Sequence, residues 1–145
     1  MKKIIILLLS FAVISACNNE PKEVIARKWV YDLDEMYNVT NKNLEKLETR
    51  EQIMKSYKDI YLNTYKGVSY DLDKSGKLVW DDHGIIRKGT WGLADNDSTL
   101  ILKSDTLQVS YTILKLNSSQ MIFKDNVVNT SPQFELSKPI LKPAK

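Results

Sequence analysis

Three kinds of apolar spacing succeed one another along the chain. Ile4–Leu9 and Phe11–Ile14 form a nearly unbroken apolar run behind Lys2 and Lys3. From about Thr40 to Lys66 the apolar residues Leu44, Leu47, Ile53, Met54, Tyr57, Ile60 and Tyr61 recur mostly three or four apart, which predicts helix. Thr49 with Gln52 fits a capping box that divides this stretch into two helices, and Gly67 is placed to stop the second. Tyr57, Ile60 and Tyr61 are expected to pack against the rest of the fold or to cover its mouth.

Elsewhere the period is two. Trp29, Tyr31 and Leu33 share a face, as do Val68, Tyr70 and Leu72, then Leu78 and Trp80. Ile85, Gly89, Trp91 and Leu93 follow, with Arg87 interrupting the apolar face. Leu100 and Leu102 come next, then Leu107, Val109, Tyr111 and Ile113. The phase breaks at Ile113-Leu114-Lys115-Leu116, which predicts a bulge or a change of twist. Gln120–Lys124 and Gln133–Leu136 add two short strands. Turn chemistry separates these runs at Lys74-Ser75-Gly76, His83-Gly84, Asp95-Asn96-Asp97, Ser104-Asp105 and Asn117-Ser118-Ser119. About eight short strands joined by tight turns predict a meander. A sheet of that size with one apolar face closes on itself and loses its edges. The expected class is all-β, an up-and-down antiparallel barrel of about eight strands with a helical insertion after the first strand.

The opening run is too short to span a bilayer, which takes about 20 apolar residues, and suits a signal-peptide core. Ile14-Ser15-Ala16-Cys17 has the form of a lipobox. Residues 1–16 are therefore expected to be removed and Cys17 to be lipidated. Each buried acyl methylene contributes about 0.8 kcal/mol, and two or more chains anchor stably where one does not. Cys17 is the only cysteine in the chain, so once acylated it leaves no thiol for a disulfide, a metal or nucleophilic catalysis. Residues 17–26 are polar around Pro21 and are expected to form a tether. Residues 27–137 carry the barrel, and the proline-spaced residues 138–145 read as an irregular tail. Asn18 follows the cysteine where an aspartate would argue for retention in the inner membrane, so the expected address is the outer membrane. Removing Lys2 and Lys3 from the 21 basic residues leaves a chain nearly balanced against its 18 acidic ones, and no basic stripe recommends nucleic acid.

The lipobox, the short tether and Arg27-Lys28-Trp29-Val30 opening the first strand resemble the lipocalin-like lipoproteins of Gram-negative bacteria. So do Gly89-Thr90-Trp91-Gly92-Leu93, Asp95-Asn96-Asp97 and Thr99-Leu100-Ile101-Leu102. The resemblance covers most of the chain after Cys17. Lipocalins carry Gly-x-Trp in the first strand; here Arg27 stands in place of the glycine. The resemblance implies an eight-stranded barrel with an apolar cavity, Trp29 plugging one end, and no catalytic residue.

Two patterns invite a chemical reading. Asp71-Leu72-Asp73-Lys74-Ser75-Gly76 copies the start of a calcium loop, with Asp82 in the closing position. The strand alternation on either side favours a hairpin turn instead, and no metal is expected. His83, the only histidine, neighbours Asp81 and Asp82 but lies in turn chemistry. No Ser-His-Asp spacing, phosphate loop or Cys/His cluster is present, so neither an enzyme nor a cofactor is expected. The inward aromatic set is the candidate site. Trp29, Tyr31, Tyr70, Leu72, Trp80, Trp91, Leu100, Leu102, Val109, Tyr111 and Phe134 either line a pocket for a small apolar or amphipathic ligand or fill the barrel. The first alternative makes the protein a membrane-tethered binding module. The second makes it a structural or interaction lipoprotein with a solid core and an envelope protein partner.

Overall fold

The computed structural model describes residues 20–45, 47–125 and 138–145. They form a closed barrel of eight antiparallel strands in which each strand pairs with its neighbours in chain order. The strands are β1 Lys28–Tyr31, β2 Val68–Leu72, β3 Lys77–Asp82, β4 Ile85–Ala94, β5 Thr99–Ser104, β6 Gln108–Leu116, β7 Met121–Asp125 and β8 Ile140–Pro143. The helices are α1 Pro21–Ile25, α2 Leu33–Asn43 and α3 Arg50–Tyr65. The architecture is the expected all-β up-and-down barrel with a helical insertion after its first strand, consistent with a lipocalin-like fold.

Alternation builds the interior. Trp29, Tyr70, Leu72, Leu78, Trp91, Leu100, Leu102, Tyr111, Met121, Phe123 and Leu141 are all buried in one cluster. The register between β6 and β7 shifts between Ile113 and Lys115, where the phase break predicts a bulge. Gly89 lies where β4 presses on β5: a Cβ there would stand 1.9 Å from the Lys103 carbonyl oxygen, so only glycine fits. Gly67 follows α3 with φ +87°, the left-handed stop that its position predicts.

Four local expectations are corrected. Residues 138–145 are not an irregular tail, because β8 closes the barrel between β7 and β1, pairing Leu141 with both Met121 and Tyr31. Ile140 faces the helices and Leu141 the interior, both buried. A strand covered on both faces shows no alternation, and Pro143 at its end needs no ladder N–H. The tether is shorter than residues 17–26, since α1 folds onto the barrel with Ile25 fully buried in its core. The first strand stops at Tyr31 rather than reaching Leu33. Asp32 caps α2 by accepting from the Glu35 N–H at 3.4 Å, and acidic Asp34 and Glu35 suit the helix's first turn. Thr49 does occupy the N-cap of α3, but its side chain makes no capping bond. The expected strand Gln133–Leu136, with Phe134, lies outside the described residues, as does Cys17.

α2 and α3 pack on the outer face of β7 and β8. Met36, Tyr57, Tyr61 and Ile140 are the buried centre, with Ile122 and Tyr65 against it. The Thr40 hydroxyl hydrogen-bonds to the Tyr61 hydroxyl in this interface. Tyr57 and Tyr61 pack as expected, whereas Ile60 points outward and is 48 % exposed. Among the described residues no helix is long and apolar enough to cross a membrane.

Candidate functional site

Strand direction gives the barrel two unlike ends. At one end lie Lys28, the β2–β3 turn and the β6–β7 turn, and α1 covers it. Trp29 is fully buried there and its Nε1 donates to the Ile25 carbonyl at 2.8 Å. Arg27 lies over the Trp29 ring at 5.7 Å and donates to the Ser118 carbonyl, tying α1 to the β6–β7 turn. Trp91 also donates, to the Asp73 carbonyl at 2.8 Å. These bonds pack the two indoles at this end and leave neither N–H unpaired.

The other end gathers phenols. Tyr31 ends β1, Tyr70 and Tyr111 reach in from β2 and β6, and Tyr65 arrives from the last residue of α3. The Tyr31 and Tyr70 hydroxyls lie 3.1 Å apart, with the Tyr111 phenol beside Tyr70. The Tyr65 ring stacks against Tyr31 with centroids 4.5 Å apart, and Phe123 lies 4.3 Å from Tyr111. Trp80 sits 5.5 Å from the Tyr70 ring. Register places Arg87 opposite Trp80, with its guanidinium 5.3 Å from that ring, while its Nη1 donates to Asp82 at 2.9 Å. Arg87 therefore does belong to the inward face it interrupts; it lies near the rim, where an ion pair and an aromatic face accommodate its charge.

Burial, reinforced by the neighbouring phenols and the Asp125 carboxylate, raises the pKa of Tyr31 far above its ordinary value. Burial also raises Tyr70, with Tyr31 adding to it, and raises Tyr111, with Tyr70 adding to it. All three are neutral hydroxyls throughout the physiological range. The cluster is thus a set of fixed dipoles with no ionisable base, suited to holding a polar atom rather than to proton transfer.

The eleven residues proposed from sequence divide between these ends. Trp29, Leu72, Trp91, Leu100 and Leu102 are packed in the core. Tyr70 and Tyr111 are buried, and Tyr31, Trp80 and Val109 are half-buried against the same core. Phe134 lies outside the described residues. Tyr65, Arg87, Phe123 and Asp125 join the site without having been named for it. Phe123 alternates with Met121 and was legible as inward; Tyr65 carries no such signal, because only the return of α3 to the barrel brings it there.

The calcium-like set does not assemble. Asp73 accepts from the Ser75 hydroxyl at 2.7 Å and from the Lys77 N–H at 2.9 Å, and these bonds hold its carboxyl below the usual range. Asp82 stands at the far end of β3, paired with Arg87. His83 sits in the β3–β4 turn with φ 54° and its Nε2 is 3.3 Å from the Thr64 carbonyl, docking the turn on α3. Among the described residues no group of acidic, histidine or cysteine side chains is arranged to hold a metal. No protein-family model, curated protein or solved structure matches the chain.

Proposed function

We propose that the chain is a lipid-anchored lipoprotein of the bacterial cell envelope, akin to the lipocalin-like lipoproteins, whose barrel binds one small apolar or amphipathic molecule at its phenol-bearing end. One observation carries the binding reading: at the phenol end Tyr31, Trp80 and Val109 belong to the inward face yet remain partly exposed. In a barrel filled along its whole length, such residues would be as buried as Leu78 or Leu102. Apolar walls with a few convergent polar groups are the usual make-up of a small-molecule site. The anchor rests on the lipobox at Ile14–Cys17, and a tether at the membrane keeps the barrel beside molecules that partition into lipid.

Native mass spectrometry of the processed protein, purified after exposure to lipid extracts, tests the binding. One retained small molecule per chain is the expected result. A protein that retains nothing, and crosslinks in cells to one dominant envelope protein, is instead the structural or interaction lipoprotein of the alternative reading. Cys17→Ser tests the anchor: serine cannot accept diacylglycerol through a thioether, so labelling by a palmitate analogue is lost while circular dichroism still reports the barrel. Fractionation of membranes tests the outer-membrane address, which recovery in the inner membrane would refute.

A further inference from the structure

The three tryptophans do not treat their N–H groups alike. Trp29 and Trp91 each donate to a main-chain carbonyl at 2.8 Å. Trp80 Nε1 is equally out of contact with solvent, yet it meets no acceptor. Buried donors are nearly always paired, and an orphan calls for an acceptor from outside the chain. The neighbouring phenols do not relieve it: the Tyr31 and Tyr70 hydroxyls engage each other at 3.1 Å, and neither accepts from the indole. The described side chains around this N–H therefore supply it no acceptor.

We propose that Trp80 Nε1, with the Tyr31–Tyr70–Tyr111 phenols beside it, is the head-group subsite of the barrel and takes an uncharged oxygen acceptor, the carbonyl of an ester, amide or ketone, on an otherwise apolar molecule. The proposal rests on the binding reading above and names the chemical class that reading leaves open. Charge selects against an anionic head. The one guanidinium at the site, Arg87, is already neutralised by Asp82, and the Asp125 carboxylate stands in register with Tyr111. The same surroundings that keep three phenols from ionising penalise a carboxylate placed among them. A cationic head offers the indole no acceptor and meets the guanidinium. Apolar walls are supplied by Phe123 and Val109.

The test is a ¹⁵N–¹H spectrum of the indole groups of the processed lipoprotein in nanodiscs, titrated with decane, methyl decanoate and decanoic acid. The Trp80 signal is assigned by its loss in Trp80→Phe. In the unliganded protein it should lie upfield of the Trp29 and Trp91 signals, as an indole proton without an acceptor does. Methyl decanoate should move it downfield and leave the other two in place, and should bind about tenfold more tightly than decane, the yield of one satisfied hydrogen bond. It should also bind more tightly than the acid at pH 7. Trp80→Phe should bring the ester to the affinity of the alkane; the wild-type spectrum stands as a readout if that variant folds poorly. Binding of all three probes with equal affinity and an unmoved Trp80 signal overturns the subsite while the binding reading survives. A Trp80 signal already downfield without ligand means an ordered water holds the N–H, and likewise overturns it. Tighter binding of the acid removes the claim of an uncharged head. No binding by any probe removes the binding reading itself.

Discussion

The two ends of the barrel are built from the same residue types to opposite effect. At the α1 end, Trp29 has its N–H on the Ile25 carbonyl, its face under Arg27, and no exposed surface. At the other end Trp80 also lies beneath an arginine, Arg87 at 5.3 Å, but its ring is only partly buried and its buried N–H has no acceptor. The difference is in what each ring is covered by. Trp29 is closed in by a short helix whose last residue presents its carbonyl, which also accepts from the Arg27 N–H, as an acceptor in the right place. Trp80 is surrounded by phenols and an ion pair, which donate as readily as they accept. An indole under an arginine can thus be a plug or a contact waiting for a partner, and the backbone around it decides which.

The comparison is broken most severely by Trp29→Ala. Removing a fully buried tryptophan and its hydrogen bond should cost about 4 kcal/mol, read as a fall in the denaturation midpoint at unchanged slope. A loss below about 1 kcal/mol would mean the α1 end is not the packed one. Ile25→Ala tests the same end through its cover. It should cost about 2 kcal/mol and raise exchange of the Trp29 indole proton, whose acceptor is the Ile25 carbonyl. If the variant is as stable as the parent, α1 belongs to the tether after all.

The phenol end is sharpened by pH. Tyr31, Tyr70 and Tyr111 have folded pKa values raised above the ordinary 10.0, burial being the main cause. The folded state therefore holds these protons more tightly than the unfolded chain. Their contribution to stability is intact below pH 10 and is lost as pH rises above it, by about 1.4 kcal/mol per pH unit for each phenol that stays neutral. Absorbance at 295 nm should show these tyrosines ionising only together with the unfolding signal. Ionisation near pH 10 in the intact fold would show the cluster to be open to water. The smallest effect belongs to Trp80→Phe, whose stability should fall within about 1 kcal/mol of the parent, because the lost ring contacts are offset by removing an unpaired buried N–H. A loss beyond about 2 kcal/mol would reveal a partner for that N–H in the unliganded protein.

Much of the barrel is legible in the chain because its strands have one dry face and one wet one. Tyr70-Asp71-Leu72 and Thr99–Leu102 alternate for that reason, and the turns between strands carry glycine, asparagine and aspartate where φ turns positive, as at Gly76, Asp95, Asn96 and Asp97. The bulge near Lys115, the stop at Gly67 and the inward set from Trp29 to Tyr111 follow from the same local rules. These are properties of a residue and its nearest neighbours, which is all that spacing encodes.

What the tertiary structure alone decided lies where those rules fall silent. β8 has no alternation because Ile140 is buried by helices and Leu141 by the barrel, so its apolar pair looked like part of a proline-spaced tail. Trp29, Tyr31 and Leu33 alternate, yet the strand ends at Tyr31 because Asp32 caps a helix that must cross to the outer face of β7 and β8. Tyr65 enters the phenol cluster through the path of α3, Arg87 finds Trp80 through cross-strand register, and the buried Trp80 N–H ends without an acceptor. Local alternation records which face of a strand meets the core; it does not record what that face meets across the barrel, and the candidate site is made of such meetings.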